Sequence, residues 1–62
     1  MQTPARPHHL LTRRDAAAYL AISPRKLDSL VADGELPRVK IGASVRFEQA
    51  DLDAYVAAQK AA

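Results

Sequence analysis

The side chains best equipped for chemistry in this sequence are cations, and they fall into three short groups. In the stretch "SPRKLDSL", Ser23 to Leu30, Arg25 and Lys26 follow a Ser-Pro pair, with Ser29 four residues after Arg25. Arg38, Lys40 and Arg46 lie in an alternating stretch further on, and Arg13 and Arg14 follow Thr12. Arginine offers paired donors that match two adjacent acceptors such as guanine O6 and N7, serine bonds to several base edges, and lysine is a compact partner for phosphate. One carboxylate, Asp28, interrupts the first group. Catalytic sets are missing: there is no Ser/His/Asp arrangement, paired-carboxylate cleft or glycine-rich phosphate loop. Tyr19 and Tyr55 sit at helical spacing among apolar residues and are expected to pack. His8-His9 has no third ligand beside it and there are no cysteines, so no metal site, no cofactor and no disulfide framework is expected. The sequence does not read as an enzyme.

The scaffold that must position these cations is thin. Sixty-two residues make one small domain, and 13 of the hydrophobic residues are alanines. A chain of this size buries only about 60% of the surface its unfolded form exposes. Leu20, Ile22, Leu27, Leu30, Val31, Val39, Ile41, Val45, Phe47, Leu52 and Val56 are the expected core. That leaves little room for a deep pocket and points to action through the outer surface. No apolar run approaches ~18 residues and no signal-peptide pattern opens the chain, so a cytoplasmic protein without membrane contact is expected. The net charge of +2 is mild, but its distribution is not. Residues 1–14 carry three arginines and no acid, whereas residues 47–62 set Glu48, Asp51 and Asp53 against Lys60. Such asymmetry suits a face turned toward an anion and another turned away.

Local patterns give the elements. Residues 1–9, with Pro4 and Pro7, read as a flexible N-terminal arm, and residues 10–62 as the folded domain. Thr12 with Asp15 forms a capping-box pattern, and Leu11 with Ala16 matches a hydrophobic staple, so a first helix of about two turns starts here. Ala21-Ile22 is a short connection. Ser23 is a preferred N-cap and Pro24 suits the first helical position; Leu27, Leu30 and Val31 mark the buried stripe, and Gly34 ends the helix. Two short helices joined this tightly suggest a helix-turn-helix. The period then changes to two, and Val39, Ile41, Val45 and Phe47 predict a β-hairpin with a three-residue loop, Gly42-Ala43-Ser44. Matching the apolar residues places Ile41 opposite Val45, Val39 opposite Phe47, Lys40 opposite Arg46 and Arg38 opposite Glu48. A last helix starts near Glu48, with Leu52, Tyr55 and Val56 as its stripe. The fold class is mainly α with a small β-hairpin, in the order helix, helix, hairpin, helix.

A helical wheel places Arg25 and Ser29, with small Ala32, opposite the buried stripe of the second helix; Lys26 and Asp33 fall on one flank and Asp28 on the other. An ordinary solvated face is the alternative reading. Lys40 opposite Arg46 would be a like-charge pair costing about 0.2–1 kcal/mol, which a bound phosphate would relieve. Arg13 and Arg14 fall in the first turn of a helix, where unpaired N–H groups favour an anion. Asp28 is expected to pair with Arg25 three residues earlier, to accept from cytosine N4, or to repel misaligned phosphates.

These features together resemble a known family. "LLTRRDAAAYLAISPRKLDSLVADGELPRVKIGASVRFEQADLDAY" is similar to the excisionase and MerR-like winged helix-turn-helix family. The resemblance rests on Leu11-Thr12, Ala16-Ala17, Leu20, Ile22-Ser23, Gly34-Glu35-Leu36-Pro37, Ile41-Gly42, Arg46 and Asp51-Leu52-Asp53-Ala54-Tyr55. It covers about Leu10 to Val56. It implies a DNA-binding module whose second helix enters the major groove and whose hairpin, the wing, touches the adjacent backbone or minor groove. By position, Arg25, Lys26, Asp28 and Ser29 would stand on the reading helix, Arg38, Lys40, Ser44 and Arg46 on the wing, and Thr12, Arg13 and Arg14 at the backbone. This chain departs from the family at Asp28-Ser29, where members often have an aromatic residue followed by arginine, and at Ala43-Ser44, where the wing tip is often basic.

What the resemblance implies for function is an excisionase-like recombination directionality factor of a phage or mobile element. Such a protein binds repeated sites on double-stranded DNA, bends the DNA and directs an integrase toward excision. A small transcriptional regulator and a winged-helix protein-docking module are the alternatives. The chain ends soon after the last helix with no heptad run, which disfavours a full MerR-type regulator. Four or five phosphate-facing cations correspond to a salt slope of roughly −4. One copy should bind weakly, and cooperative binding of the protein with itself along DNA is expected.

Overall fold

The computed structural model describes residues 9–61. Strand β1 (Leu10–Leu11) leads into helix α1 (Arg13–Leu20) and helix α2 (Pro24–Ala32); strands β2 (Val39–Ile41) and β3 (Ser44–Glu48) form the wing, and helix α3 (Gln49–Ala61) follows. The three strands make one antiparallel sheet in the order β1-β3-β2. Three helices with this sheet form a winged helix-turn-helix, the architecture the sequence predicts.

The helix ends follow the local chemistry. Thr12 Oγ1 accepts from the Asp15 N–H at 3.1 Å and Ser23 Oγ from the Lys26 N–H at 3.0 Å, with Pro24 in the first turn of α2. Each cap satisfies one N–H that the helix itself leaves unpaired. At the far end of α2 the Glu35 N–H donates to Leu30 O at 2.9 Å and the Gly34 N–H to Val31 O at 3.0 Å, with Gly34 at φ +80. This is the Schellman arrangement that glycine supports without steric penalty.

The same arrangement closes α1, but without glycine. The Ile22 N–H donates to Ala17 O and the Ala21 N–H to Ala18 O, each at 3.0 Å, while Ala21 sits in the left-handed region at φ 58. An L-residue there costs roughly 1–2 kcal/mol. This residue makes the turn between the two helices and so sets the direction in which α2 leaves α1.

The core is Ala16, Ala17, Leu27, Leu30, Leu36, Phe47 and Leu52. Leu11, Leu20, Ile22, Val31, Val45 and Tyr55 pack against it, partly buried. Two residues expected inside are exposed: Ile41 by 52% and Val56 by 41%. Leu36, not expected, is buried directly after the Gly34 turn.

The wing corrects the expected register. Val39 pairs with Arg46, Lys40 with Val45 and Ile41 with Ser44, around a two-residue loop, Gly42-Ala43. Positive φ at Gly42 (61) and not at Ala43 is the pattern of a type II′ turn, whose twist matches the flanking strands. Lys40 is therefore not opposite Arg46, and the like-charge argument for a phosphate between them falls. Nor is Arg38 opposite Glu48, which pairs with Leu10 of β1. The hydrophobic match of Ile41 with Val45 had nothing to enforce it, because Ile41 stands at the exposed tip.

Strand β1 was not expected. Leu11 pairs with Phe47, and the Gln49 N–H donates to His9 O at 2.9 Å. The last residue assigned to an N-terminal arm is thus bonded to the start of α3; the rest of that arm lies outside the described residues. Among the described residues no helix is long and apolar enough to cross a membrane.

Tyr19, expected to pack, is exposed by 46%, unlike Tyr55; its hydroxyl donates to Asp53 Oδ1 at 2.5 Å, tying α1 to α3 at the surface. That bond, then burial and the carboxylate charge, raise the tyrosine pKa above its ordinary value of 10.0. A raised folded-state pKa gives stability that is complete below the unfolded value and is lost as pH rises through the folded one. Wild-type protein should therefore lose more melting temperature than Tyr19→Phe between about pH 9 and 11; parallel losses would show that the bond is not formed in solution. Ala21→Gly, which relieves the left-handed alanine while adding unfolded-state entropy, should stabilise by about 0.5–1 kcal/mol, or roughly 4 °C in a thermal melt. A lowered melting temperature would contradict that account of the turn.

Candidate nucleic-acid interface

With Leu27 and Leu30 buried, α2 exposes Arg25, Lys26, Asp28, Ser29 and Ala32. The outward face expected from the helical wheel is thus present, with a small residue at Ala32 where a close approach would need one. Between α2 and the wing lies an open groove of ≈ 300 Å³ lined by Arg13, Asp28, Val31, Ala32, Arg38, Val45 and Phe47. The groove brings together residues from all three expected groups: the start of α1, the reading helix and the wing.

The observed wing register changes which cations share this side. Directly paired residues point to the same face of a sheet, so Lys40 lies on the Val45 face, and Val45 lines the groove. Arg38 lines the groove itself, and Lys40 is exposed further toward the tip. Arg46 is on the opposite face, beside Val39, half-buried, with Nη1 donating to the Val45 carbonyl at 2.8 Å. Ser44 is exposed next to the loop. The wing therefore divides its cations, with Arg38 and Lys40 on the groove side and Arg46 folded back along its own strand.

The helix-1 group divides as well. Thr12 uses its hydroxyl as the acceptor of the N-cap bond, and Arg14 is exposed. Arg13 reaches α2: Nε donates to Asp28 Oδ1 at 2.9 Å and Nη2 to Asp28 Oδ2 at 2.7 Å. The partner of Asp28 is therefore Arg13, fifteen residues away, and not Arg25 as expected from helix spacing. Two parallel N–H···O bonds between planar groups fix the relative orientation of both side chains. Hydrogen bonding from Arg13 holds the Asp28 carboxyl below its ordinary pKa, against the opposing effect of desolvation, and the Arg13 charge lowers it further. The guanidinium pKa moves up for the same reason, hydrogen bonding first and charge second. Side-chain exposures of 52% and 54% leave the pair in contact with water, where salt screens it. Nothing in the spacing of residues 13 and 28 announces this contact, because it depends on how α1 crosses α2.

Among the described residues, Arg14, Arg25, Lys26, Arg38 and Lys40 take part in no ion pair. An exposed helix face with two unpaired cations, flanked by a wing that carries two more across a shallow groove, can meet the phosphates on either side of a duplex groove while short donors reach base edges. Over residues 10–60 the chain matches a family described as a helix-turn-helix domain. No curated protein and no solved structure matches it. The match spans the strand, the two helices, the wing and nearly all of α3, so that the chain belongs to this helix-turn-helix domain family, a DNA-binding family that includes excisionase-like proteins.

Proposed function

We propose that this protein binds double-stranded DNA sequence-specifically, with α2 in the major groove and the wing on the neighbouring backbone, in an excisionase-like architectural role. The observation that carries the reading is the exposed Arg25, Lys26 and Ser29 face beside a groove that Arg38 lines and Lys40 flanks. Arg25 is the principal base reader and Ser29 the adaptable one; Lys26, Arg38, Lys40 and Arg14 meet phosphate, and Ser44 and Arg46 make accessory wing contacts. The DNA-binding domain comprises residues 10–62, joined by His9, whose carbonyl accepts from the Gln49 N–H.

Four phosphate-facing cations correspond to a salt slope of about −4 in log–log form. A single copy with that footprint binds weakly at physiological salt, which supports action by several copies on adjacent sites. Bending repeated sites so that an integrase is steered toward excision fits such a protein. Promoter control by the same fold is the second reading, supported by the same interface. Transfer of the family's architectural role rests on the resemblance of "GELP", "IG" and "DLDAY" and their order along the chain.

Titration of a duplex selected from a random pool, at several salt concentrations, tests the reading. Arg25→Ala should cost about 1–3 kcal/mol at the selected site and relax preference at one base pair. Lys40→Ala should weaken all sequences alike and make the salt slope shallower by about 0.9. Equal, sequence-independent losses for both variants would remove Arg25 as a reader, and salt-insensitive binding by the wild type would favour a protein-docking module. Stepwise, cooperative gel shifts on tandem sites are expected; tight, non-cooperative binding of one copy to a single short site would exclude the multi-copy mechanism.

A further inference from the structure

Among the described residues Asp28 is the only acid that lines the groove, and both its oxygens are occupied by a side chain that would otherwise be a phosphate ligand. Arg13 stands at the first position of α1, where it could point to a backbone phosphate; instead it turns across to α2. The pair is exposed, so burial does not force it to form. It is also neutral as a unit, in a groove where, among the described residues, Arg38 supplies the remaining charge. We infer that Asp28 sets the protein's sequence-independent affinity for DNA by holding Arg13 in a bidentate pair, withdrawing one cation from phosphate binding.

The inference rests on the DNA-binding reading above and adds a specificity role for a residue that makes no base contact. Non-specific binding is almost entirely electrostatic, so each cation removed from the phosphate set lowers it, while contacts from Arg25 and Ser29 to base edges are kept. Arg13 keeps its three remaining donors pointed away from the carboxylate, but its charge is compensated at 2.7 Å. Arg38, on the far wall of the same groove, has no such partner and keeps its charge. The two arginines lining the groove are thereby made unequal by one carboxylate.

The test is a salt titration of the full chain on a random-sequence duplex, comparing wild type, Asp28→Asn, Arg13→Gln and the double variant. Asp28→Asn should steepen the log–log slope by about 0.9, which is an added gain of roughly threefold in affinity between 200 and 50 mM salt. Arg13→Gln should bind more weakly than wild type, because it leaves Asp28 uncompensated. The double variant should return to the wild-type slope. Asp28→Ser repeats the measurement with a shorter side chain, and circular dichroism of each variant verifies the fold. An unchanged or shallower slope in both Asp28 variants overturns the inference, as does a double variant as steep as Asp28→Asn. A brace between α1 and α2 with no electrostatic role would move the melting temperature and leave all slopes alike. If the wild type itself shows no salt-sensitive binding, the DNA-binding reading fails and this inference with it; salt-sensitive binding with unaltered slopes removes the inference alone.

Discussion

The close packing of α2 on α1 is the constraint on which the rest of this molecule depends. Among the described residues seven form the buried core and two of them are alanines on α1, so Leu27 and Leu30 find their cover only if the helices approach closely. Ala16 and Ala17 permit that approach, and the left-handed Ala21 supplies the turn that brings it about. Once Leu27 and Leu30 face inward, the 3.6-residue period leaves Arg25 and Ser29 facing out. In a domain this small there is no second layer to compensate for a misplaced helix. The same inward face that holds the fold therefore aims the cations, and stability and recognition are two results of one arrangement.

Electrostatics is organised around that arrangement rather than added to it. The crossing of α1 over α2 brings the start of one helix beside the flank of the other, which is why Arg13 meets Asp28. The same crossing turns Tyr19 toward α3, where Asp53 accepts its hydroxyl. Two surface acids thus serve as ties between helices, one at each end of α1. The cations of α2 and of the wing's groove side have no such ties and remain available. The neutral positions and the charged positions are separated by contact geometry, although composition gives only a mild overall charge of +2.

What could be read from the residues was what depends on a few neighbours along the chain. Thr12, Ser23-Pro24 and Gly34 mark helix ends because capping involves residues three or four apart, and all three act as expected. The outward face of α2 was legible because burial of Leu27 and Leu30 determines it. The wing register was not. Apolar matching favoured Ile41 opposite Val45, but the Gly42-Ala43 turn imposed a two-residue loop, and the tip of the hairpin extends past the core that would have rewarded the match. Strand β1, two residues long, carries no periodic signal and exists because β3 offers an edge. Leu36 is buried by the turn at Gly34, and the Arg13–Asp28 pair by an interhelical angle; both lie beyond any local pattern.

The sheet order carries a consequence for solubility. With β3 in the centre, β2 has an outer edge whose backbone donors and acceptors face away from the sheet, the kind of edge along which another chain can add as a strand. Strand β2 is three residues long, ends in an exposed isoleucine and would be an adhesive template were it only apolar. Its central residue is Lys40, and a lysine on an edge strand opposes such growth by bringing like charges together when two copies align. The cation proposed to meet the DNA backbone thus also stands where its charge opposes pairing of an open, partly apolar strand with its own kind.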